Sequence, residues 1–349
     1  MRLSVLAEAS CGVRAGVNPI CTEEREPVSN SDPAAAGSAR VTFVVIAYNE
    51  EEGIARCLRS IAAQEGLSSY EIVVVDDCSQ DATQSVLSQL MMELPELQVV
   101  RLAANLGRGA ARSTGVRAAR GDFIAMVDAD IILPPDWLAR CLSSLEGRDV
   151  VSGTAVPDGD VGFLARRFKL EPKVVPSTTR TTGNNALFRR EVFSRVDYDE
   201  ELREGEDVAL DHEMDAAAVV REVVPGLRVE HRENKTFSRE LKWLFQSGLG
   251  ASRHLERYRE VRGPDVAFGT MFLISILSCL VSGGRARRLS APVVCLAGMS
   301  LAHVASKFEV RRDPVGFLGA AATDCALLSS YFVGRLVGHI RLRFDPRAK

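Results

Sequence analysis

Apolar and polar positions along this chain change period repeatedly, and each change marks an element. The first run, VTFVVI at 41–46, is β-branched and aromatic and has strand length. Glu50–Leu58 follows with helical spacing and opens on three acidic residues, which suit the positive end of a helix dipole. The alternation then repeats. EIVVVDD at 71–77 predicts a second buried strand, and SQDATQSVLSQLMMEL a second helix, with Asp81 and Gln84 spaced as in a capping box. LQVVRL at 97–102 and DFIAMVD at 122–128 predict the third and fourth strands, with GRGAARSTGVRAA as the helix between them. PPDWLARCLSSL begins a fourth helix with proline near its first turn. Short apolar strands alternating with helices predict a parallel α/β sheet. Such sheets bind ligands beyond the carboxyl ends of their strands. AYNE, DD and DAD all fall there.

The rhythm changes after residue 150. RDVVSGTAV predicts a further strand. Residues 157–203 read as irregular around TTRTTGNNALF, EGEDVALDHEMDAAAVV as a helix, and LRVEH as a strand. From Phe237 to Arg262 a basic helical stretch places Leu241, Leu244, Phe245, Leu255 and Tyr258 along one face, with Gly248 and Gly250 interrupting. It reads equally as a membrane-surface helix and as a helix covering the sheet. Three apolar segments follow: 266–284 and 289–306 are uncharged, and 314–334 is interrupted only by Asp324. About 20 apolar residues cross a bilayer, so the first two are adequate and the third is marginal. Arg285, Arg287 and Arg288 lie between the first two. A cytoplasmic front domain and a spanning first segment would put them outside, against the positive-inside rule. Residues 1–40 show no period and read as a disordered leader.

Composition narrows the class. With 349 residues, 46% hydrophobic and 26% charged, the chain has room for one large or two ordinary domains with a sizeable core. The net charge of −3 divides into −9 before Pro264 and +6 from there on. An acidic front and a basic, apolar tail suggest a soluble domain followed by a membrane-facing one. Eight scattered cysteines form no CxxC or Cys/His cluster, which disfavours a zinc site or a disulfide framework. Neither a strand-one GxGxxG nor a P-loop is present, which argues against a dehydrogenase or a kinase.

The candidate chemistry starts at AMVDADIILPP. Asp128 and Asp130 flank Ala129, so an extended backbone points both carboxylates to one face. Such a pair repels itself unless a cation sits between, and an oxygen-liganded divalent ion beside a substrate phosphate is the simple answer. A solvated strand end is the plain alternative. The neighbouring motifs weigh against that alternative. VVIAYNEEEGIARCLRSI, EIVVVDDCSQDAT, NLGRGAARSTGVRAARGDFIAMVDADIILPPDWL, GNNALFRREVF and YDEELREGEDVALDHEM resemble, in order, the motifs of family 2 glycosyltransferases. The resemblance covers roughly residues 41–235.

That resemblance implies an α/β GT-A fold with a Rossmann-like, mainly parallel sheet over 41–235; the hydropathy pattern adds an interfacial stretch at 236–263 and C-terminal membrane helices over 264–349. It implies a donor pocket formed by Ala47, Tyr48, Asn49, Glu50, Asp76, Asp77, Asn105, Gly107 and Arg112. Glycines 107 and 109 allow close backbone approach, although a plain loop-to-helix turn would use them too. Asp130 is the firmer ligand of Mg²⁺ or Mn²⁺, Asp128 serves either the metal or the ribose, and His231 is a candidate third ligand. Asp207 in GED matches the family's base, with Glu206 beside it. Gly183, Asn184 and Asn185 belong to the acceptor side. The implied partners are a nucleotide-diphosphate sugar, a lipid-linked or saccharide acceptor and a membrane, without nucleic acid. The implied location is the membrane, with the catalytic domain facing the cytoplasm. Around Trp243, Arg239 and Lys242 replace the Gln and Arg of the processive relatives' Q-x-x-R-W, which argues for transfer of one sugar. Polyprenyl-phosphate sugar synthases share the NLGRG block and are the alternative. A non-catalytic scaffold on the same fold is a third reading.

Overall fold

The structure, a computed structural model, describes residues 40–66, 69–157, 183–231, 236–259, 285–307 and 314–344, with a few single residues between. The leader, the stretch 158–182 and most of the first apolar segment lie outside the described residues. The front half follows the predicted alternation: β1 (Val41–Ala47), α1 (Ile54–Ala62), β2 (Tyr70–Asp76), α2 (Thr83–Glu93), β3 (Leu97–Arg101), α3 (Arg108–Ala118), β4 (Phe123–Asp128), the two-residue β5 (Ile131–Ile132) and α4 (Trp137–Ser144). Then come β6 (Val150–Pro157), β7 (Asn185–Arg189), a 3₁₀ turn (Arg190–Ser194), α5 (Glu206–Ala216), β8 (Arg221–His231) and three long helices. These are α6 (Phe237–Tyr258), α7 (Arg285–Lys307) and α8 (Pro314–Phe344).

The eight strands form one mixed sheet in the order β3-β2-β1-β4-β7-β6-β8-β5. β1 pairs in parallel with β2 and β4, β2 in parallel with β3, and β7 runs antiparallel to β4 and β6. Alternate residues of β1 go to opposite faces. Phe43 and Val45 meet Ile54, Leu58, Leu87 and Trp137 on one side. Val44 meets Ile124, Met126, Phe188, Leu210 and Met214 on the other. Burying side chains of this size contributes about 1.5–3 kcal/mol each, so both faces must be covered.

Three details depart from the sequence expectations. The acidic opening of the first helix is a turn instead. Glu51 accepts from the Ala82 N–H, and the Glu51 N–H donates to Asp81, so these groups tie the turn to the loop before α2. The capping box does not form, because Gln84 accepts from Arg101 and Asp81 binds Thr83. Arg285, Arg287 and Arg288 lie within α7, not in a loop, as good helix formers can.

α6 crosses α8 with backbones in near contact. A Cβ at Gly248 would overlap the Tyr331 carbonyl, and one at Gly334 the Phe245 carbonyl. Gly338 faces Ser252, whose hydroxyl donates to the Arg335 carbonyl at 2.8 Å. Small residues four apart permit such crossings. The glycines that interrupt the apolar face of α6 are therefore contact residues. Among the described residues one helix, α8, is long and apolar enough to cross a membrane, with 44% of its apolar window buried inside the protein. At 31 residues it is about 46 Å long.

Candidate active site

The carboxyl ends of β1, β2 and β4 bring the sequence-marked residues together along one edge. At the β2 end Asp76 is fully buried. Its carboxylate accepts from the Ser79 N–H at 2.9 Å and from Arg101 at 2.7 Å. Arg101 stands opposite Asp76 in the β2–β3 register and also donates to Gln84 and the Ser79 carbonyl. Asp77 accepts from the Leu106 and Gly107 N–H groups, so it clamps the loop that leads into α3. Asn105, in that loop, accepts from Arg203. Asn49, with φ +59°, donates its N–H to Ser79 and accepts from the Gln80 N–H. Ala47 is buried at the end of β1, and Tyr48 beside it is exposed.

The glycines of NLGRG have a specific neighbour. Gly107 has φ +98°, and a Cβ there would lie 2.7 Å from the Arg203 Cα; one at Gly109 would overlap the Asp199 carbonyl. Their close approach serves the segment 199–204, which leads into α5. The Gly109 N–H donates to the Leu202 carbonyl, and Arg108 pairs with Glu204 at 3.0 Å. This contact seats GED against α3.

Arg112 of α3 is the centre of the arrangement. It is 2% exposed, donates to Asp128 at 2.7 Å and to the Gly183 carbonyl at 2.5 Å, and pairs with Glu206 at 3.2 Å. Its guanidinium lies 5.8 Å from the Tyr198 ring centroid. Burial works against the Arg112 charge, but Asp128 and Glu206 outweigh it and hold its pKa above the ordinary range. Burial raises Asp128, opposed by Arg112 and Arg108. Burial also raises Glu206, to about 7, with Arg112 opposing and Asp207 adding. Asp207, half-buried in the first turn of α5, accepts from the Val208 N–H.

Asp130 turns the other way. Its Oδ2 lies 3.0 Å from His231 Nε2, across the β5–β8 pairing that sets Ile131 opposite His231. Its Oδ1 is buried without a hydrogen-bond partner among the described residues. Glu50 is held up to about 8, first by burial and then by Asp130 and Asp128, while Arg239 of α6 lowers it. Among the described residues no three His, Cys, Asp or Glu side chains gather as a metal cluster. The Asp130 carboxylate, with its Oδ1 unpartnered, and the His231 imidazole are two groups that fit an ion taking the rest of its shell from water or substrate phosphates.

On the far side, Asn185 is fully buried. It accepts from Trp137 Nε1–H at 2.7 Å and donates to the Leu227 carbonyl at 3.0 Å, joining α4 and β8 to β7. Gly183 approaches the Arg112 guanidinium, and the Oδ1 of the next residue, Asn184, is buried without a hydrogen-bond partner among the described residues. Arg101 and Arg239 join the site beyond the residues the motifs mark, although Arg239 stands in the sequence as a departure from Q-x-x-R-W. The signal for Arg101 was the charge ending an otherwise apolar third strand. Arg239 needed the fold of α6 back onto the sheet.

Residues 42–197 match the family described as Glycosyl transferase family 2. The chain carries a family 2 glycosyltransferase domain. Over 192 residues the chain is 37% identical to the succinoglycan biosynthesis protein ExoO of Rhizobium meliloti, a match covering 49% of this chain and 54% of that one. Over 144 residues it is 35% identical to an undecaprenyl-phosphate 4-deoxy-4-formamido-L-arabinose transferase of an Enterobacter species, covering 40% of this chain and 44% of that one. It thus spans about half the length of these curated relatives. The mannosyltransferase PcManGT from Pyrobaculum calidifontis, solved in complex with GDP-Man and Mn²⁺, superposes with a TM-score of 0.52 at 20% identity. That match covers 88% of this chain and 87% of that one. The fold of the glycosyltransferase domain is GT-A, with a Rossmann-like core in a mixed sheet.

Proposed function

We propose that this glycosyltransferase moves one sugar from a nucleotide-diphosphate donor to a lipid-linked or saccharide acceptor at a membrane, with inversion. The observation that carries the reading is the Arg112 bridge, which brings the DAD edge and the GED turn to one site. The base end of the donor lies against Asp76 and Arg101, and its diphosphate lies toward Asp130. Asp130 and His231 would hold Mn²⁺ or Mg²⁺, which when bound supplies positive charge for the departing diphosphate. Of these two ions, Mn²⁺ accepts an imidazole ligand more readily than Mg²⁺, which keeps to oxygen.

The acceptor hydroxyl attacks the anomeric carbon as the bond to the diphosphate breaks, and the electron pair leaves with the nucleotide. Asp207 takes the hydroxyl proton. Displacement in one step inverts the anomeric centre.

Several features support a lipid-linked acceptor. A cavity of about 320 Å³ lies between the segment 201–204, α6 and the end of α8. Leu202, Phe245, Leu249 and Leu342 give it an apolar wall, and Arg253 and Arg341 line it too. The basic end of α8, with Arg341 and Arg343, suits a cytoplasmic side, and α6 packs on that half of the helix. A second reading keeps the donor site and makes a polyprenyl phosphate the acceptor. The similarity to an undecaprenyl-phosphate transferase favours it. A phosphate acceptor is already ionised and needs no base.

The test is a panel of UDP- and GDP-sugars offered to membranes containing the full chain, with undecaprenyl phosphate or a saccharide as acceptor, with Mn²⁺ or EDTA. Metal-dependent transfer lost in D130A supports the reading. Undiminished transfer by both D130A and D207N sinks it. Transfer to undecaprenyl phosphate that survives D207N but not D130A selects the second reading.

A further inference from the structure

α6 carries two stripes of contacts. Gly248 and Ser252, one turn apart, lie against α8. Gly250 and His254, also one turn apart, lie against the segment entering α5. A Cβ at Gly250 would come within 2.6 Å of the Glu204 carbonyl, and a Cβ at Gly205 within 2.7 Å of His254 Nε2. Gly205 precedes Glu206 and has φ +81°, a left-handed turn in place of the usual extended cap. The His254 ring is 1% exposed and occupies the volume a side chain at 205 would need. Its own place is fixed by rings. Tyr258 lies 5.7 Å from it, Tyr258 stacks at 4.4 Å on His212 of α5, and the Tyr258 hydroxyl donates to Glu213. A column of three rings therefore runs along the seam between α5 and α6 and ends at Gly205.

We propose that His254 is a positioning residue for sugar transfer. Its ring, seated against Gly205, sets how the chain enters α5 and so where Asp207 faces. Arg112 fixes Glu206 from the sheet side, and His254 fixes Gly205 from the α6 side. The proposal rests on the reading of Asp207 as base, and His254 acts only through the backbone of Gly205. Because the neighbouring stripe of α6 packs on α8, the seating of that long helix also bears on the base.

The experiment uses the full chain in membranes, the donor and acceptor the panel selects, and Mn²⁺. A misplaced base of this kind costs turnover, not donor affinity. H254A should lower kcat about 10-fold or more while the donor KM stays within about 2-fold, and H254F, which keeps a ring, should return kcat to within about 3-fold of wild type. G205A should also lower kcat. Adding H254A to G205A relieves the clash with the ring but not the strain of alanine at φ +81°, so the double variant should lose less than the product of the two single losses. A residue that only stabilised the fold would lower Tm and leave kcat per folded molecule unchanged. Unchanged kcat in H254A with an inactive D207N overturns this proposal alone, as do additive losses in G205A/H254A. An active D207N overturns the base reading, and this proposal with it. Should H254A fail to fold, H254N, which removes the ring but keeps a polar group, decides by the same criteria.

Discussion

Two pairs of neighbouring carboxylates meet at Arg112, and they are built differently. Asp128 and Asp130 close a strand, with one residue between them; Glu206 and Asp207 open a helix and are adjacent. In each pair one member is tied to Arg112 and the other is not. Asp128 and Glu206 are the inner members, 2.7 and 3.2 Å from the guanidinium. Asp130 faces His231, and Asp207 accepts from the Val208 N–H of its own helix. A single buried cation thus pairs with one acid from each pair and leaves Asp130 and Asp207 outside the bridge. The lesson is that adjacency in sequence does not imply a shared role.

The largest effect should separate the pairs by metal. D130A should lower metal-dependent transfer by about 10²–10³-fold, measured as initial rate against Mn²⁺ concentration, with the fold intact. Removing the bridge should act on stability. R112A leaves two buried carboxylates without their counter-charge and should cost about 3–5 kcal/mol in denaturant unfolding. If R112A unfolds as wild type does, the inner members do not depend on it and the comparison fails. H231A should weaken Mn²⁺ binding about 10–100-fold by calorimetry with a nucleoside diphosphate present, and leave Tm nearly unchanged.

The smallest effect is a pH dependence. Glu206 has its folded pKa raised from 4.5 to about 7 by burial. A raised acid holds its proton in the folded state where the unfolded chain has lost it. Its contribution to stability is therefore complete below about pH 4.5 and is lost as pH rises through about 7. E206Q should flatten that part of the Tm–pH curve, and an unchanged slope would show that Glu206 does not titrate there.

Legibility followed the same division. The front half of the sheet was readable because each strand is a local apolar run and each helix a local period. Asp128 and Asp130 stood out because charge at an apolar strand end is costly. Glu206 and Asp207 were visible only through the resemblance of GED to a known motif, since acidic residues at a helix start are ordinary. The bridge itself was hidden. The resemblance places Arg112 in the donor pocket but says nothing of Asp128 and Glu206 as its partners, which lie 16 and 94 positions away in the chain. Gly107 and Gly109 were legible as permissive backbone, but the segment they admit, 199–204, arrives only after β7 has folded back antiparallel to β4. Gly250 shows in the sequence only as a break in the apolar face of α6, and His254 carries no local signal, because their partner is the backbone of residues 204 and 205.

On the proposed reading, the outer acids do the chemistry and the inner acids hold the frame. That division is tested most directly by comparing D207N with E206Q, two isosteric changes at adjacent positions, in kcat and Tm on the same preparation. With a hydroxyl acceptor, D207N should lose about 10²–10⁴-fold in kcat with Tm nearly unchanged. E206Q should keep kcat within about 10-fold while its Tm and its pH dependence move. Equal losses of kcat in the two variants, or a D207N that transfers to a hydroxyl as fast as wild type, would contradict the account.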